Sequence, residues 1–524
     1  MTDVLVVGAG PTGLTIACLL RASGLDVRIV DRLPAPTPLA KAMVVWSRSL
    51  EVLEGLDLAK AAVAAGIGLR HARYLDGDRL LASVRTDRIA GTRWQPLLLP
   101  QHTLERLLRQ RLEALGVGVE WGRELTSATD AGDGVIATVA GDGGATERIP
   151  AVYVVGCDGL RSAVREAAGI AWRDYAPYEE TFRLGDVEAR TPLDRAAAHQ
   201  FLGRSGVSVA LPMPGDLWRI VGYRDGDDDP SPPDRHALQR LLDDVGHVGT
   251  TIGAVHWSGS FRVVRRLADS FRAGRLLLAG DAAHVHSPAG GQGLNTGIQD
   301  ASNLAWKLTL VVRGLAQPPL LDSYTAERRP VAARILAMTE LQDRRLFGAR
   351  SPSSRIVRNG VLRIGDRTGI LERRLIPDLA QVRLRYEDSP LTLAGDRRGA
   401  RGFVPGRLVP DVALAAANGS GDVALRDLCR GAAITIVAAP GRDGAVAVPA
   451  LERLVARYAG AVALRGPLSP LPGTGGWLIG VRPDGYIGYR GPCAVTPSLC
   501  RWIGAVLTSP VAAADRTRHI ALAS

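Results

Sequence analysis

The sequence predicts an α/β fold: a Rossmann-like nucleotide-binding domain, a mixed β-sheet layer over it, and a separate C-terminal α/β module. Three observations carry this. An apolar run at the N-terminus leads straight into a glycine turn, buried-strand patterns of the same kind return near residues 152 and 276, and an alternating, turn-rich stretch lies between those two. A chain of 524 residues also exceeds one ordinary core, so two or three domains are expected.

Residues 3–8 read as a strand buried on both faces. Residues 11–23 have helical apolar spacing, and residues 27–30 form a second strand ending at Asp31, which completes a βαβ unit. Gln101, Leu104, Leu107, Leu108, Leu112 and Leu115 mark an amphipathic helix over 101–116. Another buried strand follows at 152–155. From Thr181 to Val264 the alternation predicts an antiparallel layer. Residues 276–279 return as a buried strand, followed by a glycine-rich loop and a helix from Asn295 to Gly314. Residues 350–400 are arginine-rich and irregular, with mixed helical signals. After Pro405-Gly406 come a strand at 434–437, a helix at 450–458, a hairpin turning at Pro483-Asp484-Gly485 and a last helix near 497–507. The expected segments are 1–172 (with an excursion near 70–100 into the sheet layer), 173–271 for that layer, 272–345 for the second part of the nucleotide domain, 346–402 for a helical or irregular linker, and 403–524 for the last module.

Composition narrows the class. An apolar share of 46 % with no run of about 18 apolar residues argues against a spanning helix. The N-terminus lacks the basic start of a secretory signal, and five scattered cysteines show neither a CxxC pair nor metal-ligand spacing. These features predict a cytoplasmic chain without structural metal or disulfides. The net charge of +11 invites a nucleic-acid reading. Its distribution opposes that: the only lysines are Lys41, Lys60 and Lys307, and the arginines are spread without a basic tail. What remains is a mild attraction for anions such as phenolates and pyridine dinucleotides.

The first chemical motif is Gly8-Ala9-Gly10-Pro11-Thr12-Gly13 between a strand and a helix. Its glycines permit a tight turn and close approach to a pyrophosphate, and Asp31 is placed to accept hydrogen bonds from ribose hydroxyls. This suits FAD and NAD equally. A later segment, from Gly280-Asp281 through His284, His286 and Pro288 to Gly291-Gln292-Gly293-Leu294-Asn295, discriminates. Asp281 at a strand end can bind a sugar-alcohol hydroxyl, and the bare loop lets a flat ring lie against backbone. The following helix then aims its positive end at that ring, an arrangement suited to a reduced flavin. Between the two lies Cys157-Asp158-Gly159.

These three motifs in this order resemble the flavoprotein aromatic hydroxylases, the family of para-hydroxybenzoate hydroxylase, phenol hydroxylase and the aromatic-polyketide hydroxylases, and the resemblance covers the whole chain. It implies FAD as cofactor, NADPH or NADH and O₂ as co-substrates, and a phenolic or polycyclic aromatic substrate hydroxylated through a flavin C4a-hydroperoxide. It assigns Gly8, Gly10, Pro11, Thr12, Gly13 and Asp31 to the ADP half of FAD, and Arg48 and Gln101 to the diphosphate and ribityl region. Asp158 falls on the Asp-Gly motif and Asp281 on the ribityl aspartate, while Pro288, Gly291, Gly293, Leu294 and Asn295 border the isoalloxazine. Lys41 and Trp46 depart from the usual pattern; Trp46 reads as packing rather than substrate stacking. His284 and His286 are candidate acid–base groups or loop-orienting residues. His199, Gln200, Trp218 and Tyr223 lie on the sheet layer with their facing undecided. The C-terminal module resembles the thioredoxin-like domain of phenol hydroxylase, with Gly441-Arg442-Asp443-Gly444 in place of a CxxC, and reads as structural or as a homodimer contact. Three other readings stay open: a Baeyer–Villiger or antibiotic-inactivating oxygenation, a flavin reductase, and a non-catalytic flavin-binding scaffold.

Overall fold

The computed structural model describes residues 1–37, 42–175, 181–226, 229–349, 351–393, 403–415, 422–429, 431, 433–439, 448–458, 461–465 and 476–508. Lys41 and the 441–444 segment lie outside them.

Strands Leu276–Leu278, Thr146–Gly156, Thr2–Val7, Val27–Asp31 and Val119–Trp121 run parallel, in that spatial order. Burial explains their composition: Val4, Leu5, Val6, Val154 and Val155 are fully enclosed, with helices covering the sheet. Helix Pro11–Ala22 packs between helix Gln101–Ala114 and the long helix Gly293–Val312. Every nucleotide-type motif therefore sits at a C-terminal strand end: Gly8, Asp31, Asp158 and Asp281. That edge is where open parallel sheets bind ligands.

The second sheet has seven strands in the order Thr251–Arg262, Thr181–Arg190, Leu217–Arg224, Gly206–Pro212, Ala197–Leu202, His71–Asp76 and Arg79–Arg85. Its two faces are sharply different. Trp218, Ile220, Val187 and Phe201 pack under helix Arg235–Asp243, against Leu238, Leu241 and Leu242. Tyr74, Phe182, Val207 and Tyr223 turn the other way, into a cluster with Trp46 of the nucleotide domain. Alternation along each strand forces this division.

Two expectations need correcting. The long helix begins at Gly293, so Asn295 lies inside its first turn rather than at its start. The 350–400 stretch is less irregular than its composition suggests. It holds a regular helix, Pro352–Arg367, with proline in its first turn and the Ser351 hydroxyl accepting from the Ser354 N–H. Of its arginines, Arg367 projects to solvent, Arg355 pairs with Asp76 of the second sheet, and Arg358 donates to the Leu202 carbonyl of that sheet.

The C-terminal module is a four-stranded mixed sheet, ordered Val462–Arg465, Ile434–Ala439, Trp477–Val481, Ile487–Pro492, with helices Val448–Ala456 and Pro497–Val506. Its hairpin turn plugs into the nucleotide domain. Arg482 and Asp484, both buried, meet Glu327, Lys307 and Asn303 from the two long helices Gly293–Val312 and Asp322–Gln342.

Candidate active site

The N-terminal glycines divide by task. A Cβ on Gly8, where φ is +100°, would lie 2.4 Å from the Cys157 carbonyl oxygen, and one on Gly13 would lie 1.9 Å from the Gly8 oxygen. Both are bare because backbone passes too close. A Cβ on Gly10 would meet nothing within 4 Å. Its open side precedes a helix N-terminus that no side chain caps, the space and the N–H groups a diphosphate needs. Pro11 opens that helix, and Thr12 fills the crevice between Gly280 and Gly297, locking the first motif to the later one.

Asp31 accepts hydrogen bonds from the N–H groups of Ala9 (2.7 Å) and Leu33 (2.8 Å). It thus shapes the glycine turn. Gln101 accepts from the Ala42 N–H and donates to the buried Glu105, whose carboxyl burial pushes up. Arg48 is already engaged by the protein itself. Its guanidinium is paired with Glu51 at 2.8 Å and donates to the Asp484 carbonyl of the C-terminal hairpin, stacking near Tyr486. The structure uses it as a strut between segments.

Burial also raises the Asp158 carboxyl, against hydrogen bonds from Ser162 and the Val164 N–H, and leaves its Oδ1 enclosed without a partner. Asp281 stands exposed in the turn Gly280–Ala282, at the sheet edge where a ribityl chain would pass.

The loop after it is held from behind. Gly290 and Gly291 take φ of +70° and +64°, and a Cβ on Gly291 would fall 2.9 Å from Val44. Asn295, wholly buried, accepts from the Trp46 N–H at 2.8 Å and donates to the Val44 and Gly291 carbonyls at 2.8 and 2.7 Å. The Trp46 indole donates to the Gly290 carbonyl at 2.9 Å while its ring packs with Tyr74, Phe182 and Tyr223. Pro288 is exposed at the loop entrance and Leu294 packs on the main core. Around Gly293 there is ordinary room: a Cβ would lie 3.8 Å from His286.

The two histidines separate. His284 is buried, its Nε2 2.6 Å from Asp300, which also binds Arg328 at 2.6 Å and the Gly280 N–H at 3.1 Å. Burial opposes ionisation of Asp300, but Arg328 and His284 outweigh it and hold the carboxyl below its usual range. His284 therefore orients the turn that carries Asp281. His286 is different: its Nδ1 meets the Ser287 carbonyl at 2.8 Å, and its Nε2 is enclosed without a partner. Burial lowers it to about 4, so it is a neutral acceptor at physiological pH.

On the face of the seven-stranded sheet turned away from helix Arg235–Asp243, Arg219 and Asp186 form a bidentate pair at 2.6 and 2.7 Å, with Trp257 over the guanidinium. His102, in the first turn of helix Gln101–Ala114, has its pKa lowered by burial and by Arg219. Of the four residues left undecided, Tyr223 and Gln200 (bonded to Tyr74) share this side. His199 and Trp218 lie on the opposite face, their rings 6.3 Å apart. Sequence reasoning missed Asp300, Arg328, Arg219 and Asp186. The signal available for the first two was a run of polar residues on otherwise apolar helical faces.

The orphaned Asp158 and His286 atoms, the open side of Gly10 and the uncapped helix all fit a bound dinucleotide with a flat polar ring. The comparisons agree. The FAD binding domain family matches residues 1–339. The 6-methylpretetramide 4-monooxygenase of Streptomyces rimosus is 35 % identical over 95 % of this chain and 92 % of its own. The pentachlorophenol 4-monooxygenase of Sphingobium chlorophenolicum is 32 % identical over 85 % of this chain and 81 % of its own. A solved ternary complex of aklavinone-11 hydroxylase with FAD and aklavinone superimposes with a TM-score of 0.78 at 25 % identity, covering 96 % of this chain and 98 % of that one. Among the described residues no helix is long and apolar enough to cross a membrane, and no cluster could hold a metal ion. Related over nearly its whole length to named monooxygenases and matched by their cofactor domain, the chain belongs to the FAD-binding flavoprotein monooxygenases.

Proposed function

We propose that the enzyme hydroxylates a multi-ring phenolic substrate held between the 288–292 loop and the inner face of the seven-stranded sheet. The observation that carries this reading is that face itself. Tyr74, Phe182, Tyr223 and Phe261 line it, with Phe182 and Phe261 stacked at 5.6 Å, and Arg219 and Asp186 form one charged, hydrogen-bonded pair on the same face. The length-spanning likeness to a pretetramide monooxygenase supports a fused-ring substrate over a single ring.

Bound FAD supplies hydride acceptance from a reduced nicotinamide and activation of dioxygen. The chain's own residues do the rest. Gly8, Gly10 and Gly13 with Asp31 would hold the ADP half, Asp158 and Asp281 the middle of the cofactor, and the loop ending at Asn295 the ring. The N-terminus of helix Gly293–Val312 would direct its positive dipole end toward the bound ring, an effect worth about 0.3–1 kcal/mol on a nearby negative charge when exposed and up to ~2 kcal/mol when partly buried. His286 Nε2 would be free to accept a hydrogen bond from the bound group, and Trp46 would close the site from the side.

The test is to screen fused-ring phenols for stimulated NAD(P)H oxidation and analyse the product under ¹⁸O₂. One labelled oxygen atom in a phenolic product is expected. An inserted ring oxygen would indicate the Baeyer–Villiger outcome, and a product without new oxygen the reductase.

A further inference from the structure

The loop meant to border the flavin ring is tethered by a residue from far outside the nucleotide-binding segment. Gln292, fully buried, donates from Nε2 to the Gly290 carbonyl at 3.0 Å and to the Leu379 carbonyl at 2.9 Å. Only one orientation of its amide allows this, and Gln381 selects it. The Gln381 Nε2 donates to Gln292 Oε1 at 2.7 Å and to the Thr296 hydroxyl at 3.0 Å, while its own Oε1 accepts from Gln299 at 2.7 Å. Both N–H groups and the carbonyl are used, and all four residues are buried.

Gln381 reaches this position at a backbone cost. Its φ is +57°, one of three non-glycine residues in the left-handed region among those described, where a Cβ crowds the following carbonyl oxygen. Glycine would remove that strain, yet glycine cannot supply the amide. Such strain persists where the surroundings over-determine it. The preceding turn belongs to the same device: a Cβ on Gly290 would lie 2.7 Å from Leu379 Cδ2, so Leu379 limits how far the loop can retreat. Ile376, Leu379 and Ala380 also pack in the apolar cluster with Tyr74, Phe182 and Tyr223 of the substrate-facing sheet.

We infer that Gln381 is a positioning residue: through Gln292 it fixes the 290–292 backbone against which the flavin lies, and it ties that backbone to the wall of the substrate space. The inference rests on the flavoprotein monooxygenase reading for its consequence, but its physical core is a tether present in the free protein.

Two variants separate positioning from mere stability. Gln381→Gly relieves the strained φ and removes the amide; Gln381→Glu keeps size and loses both donors. Hydrogen exchange on protein freed of FAD should show the 291 and 292 amides exchanging roughly tenfold faster in both, the factor expected on losing about one net hydrogen bond. Gln381→Gly, relieved of the strained φ, should melt closer to wild type than Gln381→Glu, which buries a carboxylate beside Gln292 Oε1 and the Thr296 hydroxyl. With FAD restored, both should bind it several-fold more weakly, shift the flavin visible spectrum, and yield more peroxide per NAD(P)H oxidised. Adding Gln292→Ala to Gln381→Gly should produce little further change, because the two act in series. Wild-type exchange at 291 and 292 in both variants would overturn the tether, whatever the enzyme's substrate. Faster exchange with unchanged FAD affinity and spectrum would overturn the positioning role.

Discussion

Glu327 and Arg328 are neighbours in sequence, yet they anchor two buried networks with different work. Arg328 turns toward the flavin side, where it binds Asp300, the Thr296 carbonyl and the Tyr386 hydroxyl. Glu327 turns toward the C-terminal module, where it takes Lys307, Arg482, Asn303 and Ser389. Both sets are wholly enclosed by the same two helices. The first sets one turn, Gly280 to His284, and hence where Asp281 stands. The second joins two modules: Lys307 and Arg482 balance Glu327 and Asp484, leaving no net charge in the interface. A buried ion cluster is weak evidence for stability gained but strong evidence of stability lost when one member goes. What differs between the two is therefore what should fail first.

Glu327→Ala has the largest expected effect. It leaves Arg482 with Asp484 alone and Lys307 without a counter-charge in the interior, a loss of about 3–5 kcal/mol, read by urea or thermal unfolding. Limited proteolysis should cut first within the C-terminal module while FAD stays bound. The wild type carries the same weakness at low pH. Burial opposes ionisation of Glu327, but Arg482 and Lys307 hold its carboxyl far below the ordinary 4.5, so the stabilisation is complete above that value and is lost as pH falls below it. Asp300→Asn should cost a similar order of stability by unpairing Arg328, with the opposite sequence of failure: FAD loss first, the C-terminal module still docked. Identical order of failure in the two variants would erase the distinction between the networks.

How much of this could be read from sequence follows the same division. The strand–glycine–helix signals are local, so the four strand ends and their motifs were legible residue by residue. Asp31, Asp158 and Asp281 needed only their place after a buried run. The tie from Arg48 to Asp484 was not legible, because the two lie 436 residues apart. Gln381 and Arg219 were invisible for the same reason: their partners lie 89 and 33 residues off, and a single glutamine or arginine carries no period. The helix Pro352–Arg367 was hidden by its own surface. Ile356, Val357, Val361 and Ile364 are exposed there, which blurs the amphipathic pattern that marks other helices.

A third site sharpens the comparison by lacking what both networks have. Asp343 is buried at the end of helix Asp322–Gln342, and neither carboxyl oxygen has a partner among the described residues. Burial alone raises it to about 7. The folded protein thus keeps a proton that the unfolded chain releases near pH 4, and stability falls as pH rises from about 4 to 7. Asp343→Asn, the neutral isostere, should stabilise the protein at pH 8 by about 1–3 kcal/mol and change little at pH 5. Melting curves at the two pH values decide it; equal shifts at both would mean the carboxyl is not the source of the pH dependence.

The smallest effect is expected from the cysteines of the C-terminal module, and that too follows from what the interface is for. If the module is held by the Glu327 network for structural support, its thiols should be chemically idle. Cys429 is buried, its thiol pushed up to about 12, and burial raises Cys493 as well, so neither supplies the thiolate that exchange chemistry requires. Cys500 is exposed but has no disulfide partner among the described residues. Replacing all three with serine should leave flavin reduction and turnover within about twofold, with a stability loss on the order of 1 kcal/mol from the hydroxyl now buried at position 429. Alkylation of the native protein should modify Cys500 alone among the three. A dithiol-reductase activity that the triple variant abolishes would overturn the supporting role, because it would require a low-pKa thiol that neither buried site provides.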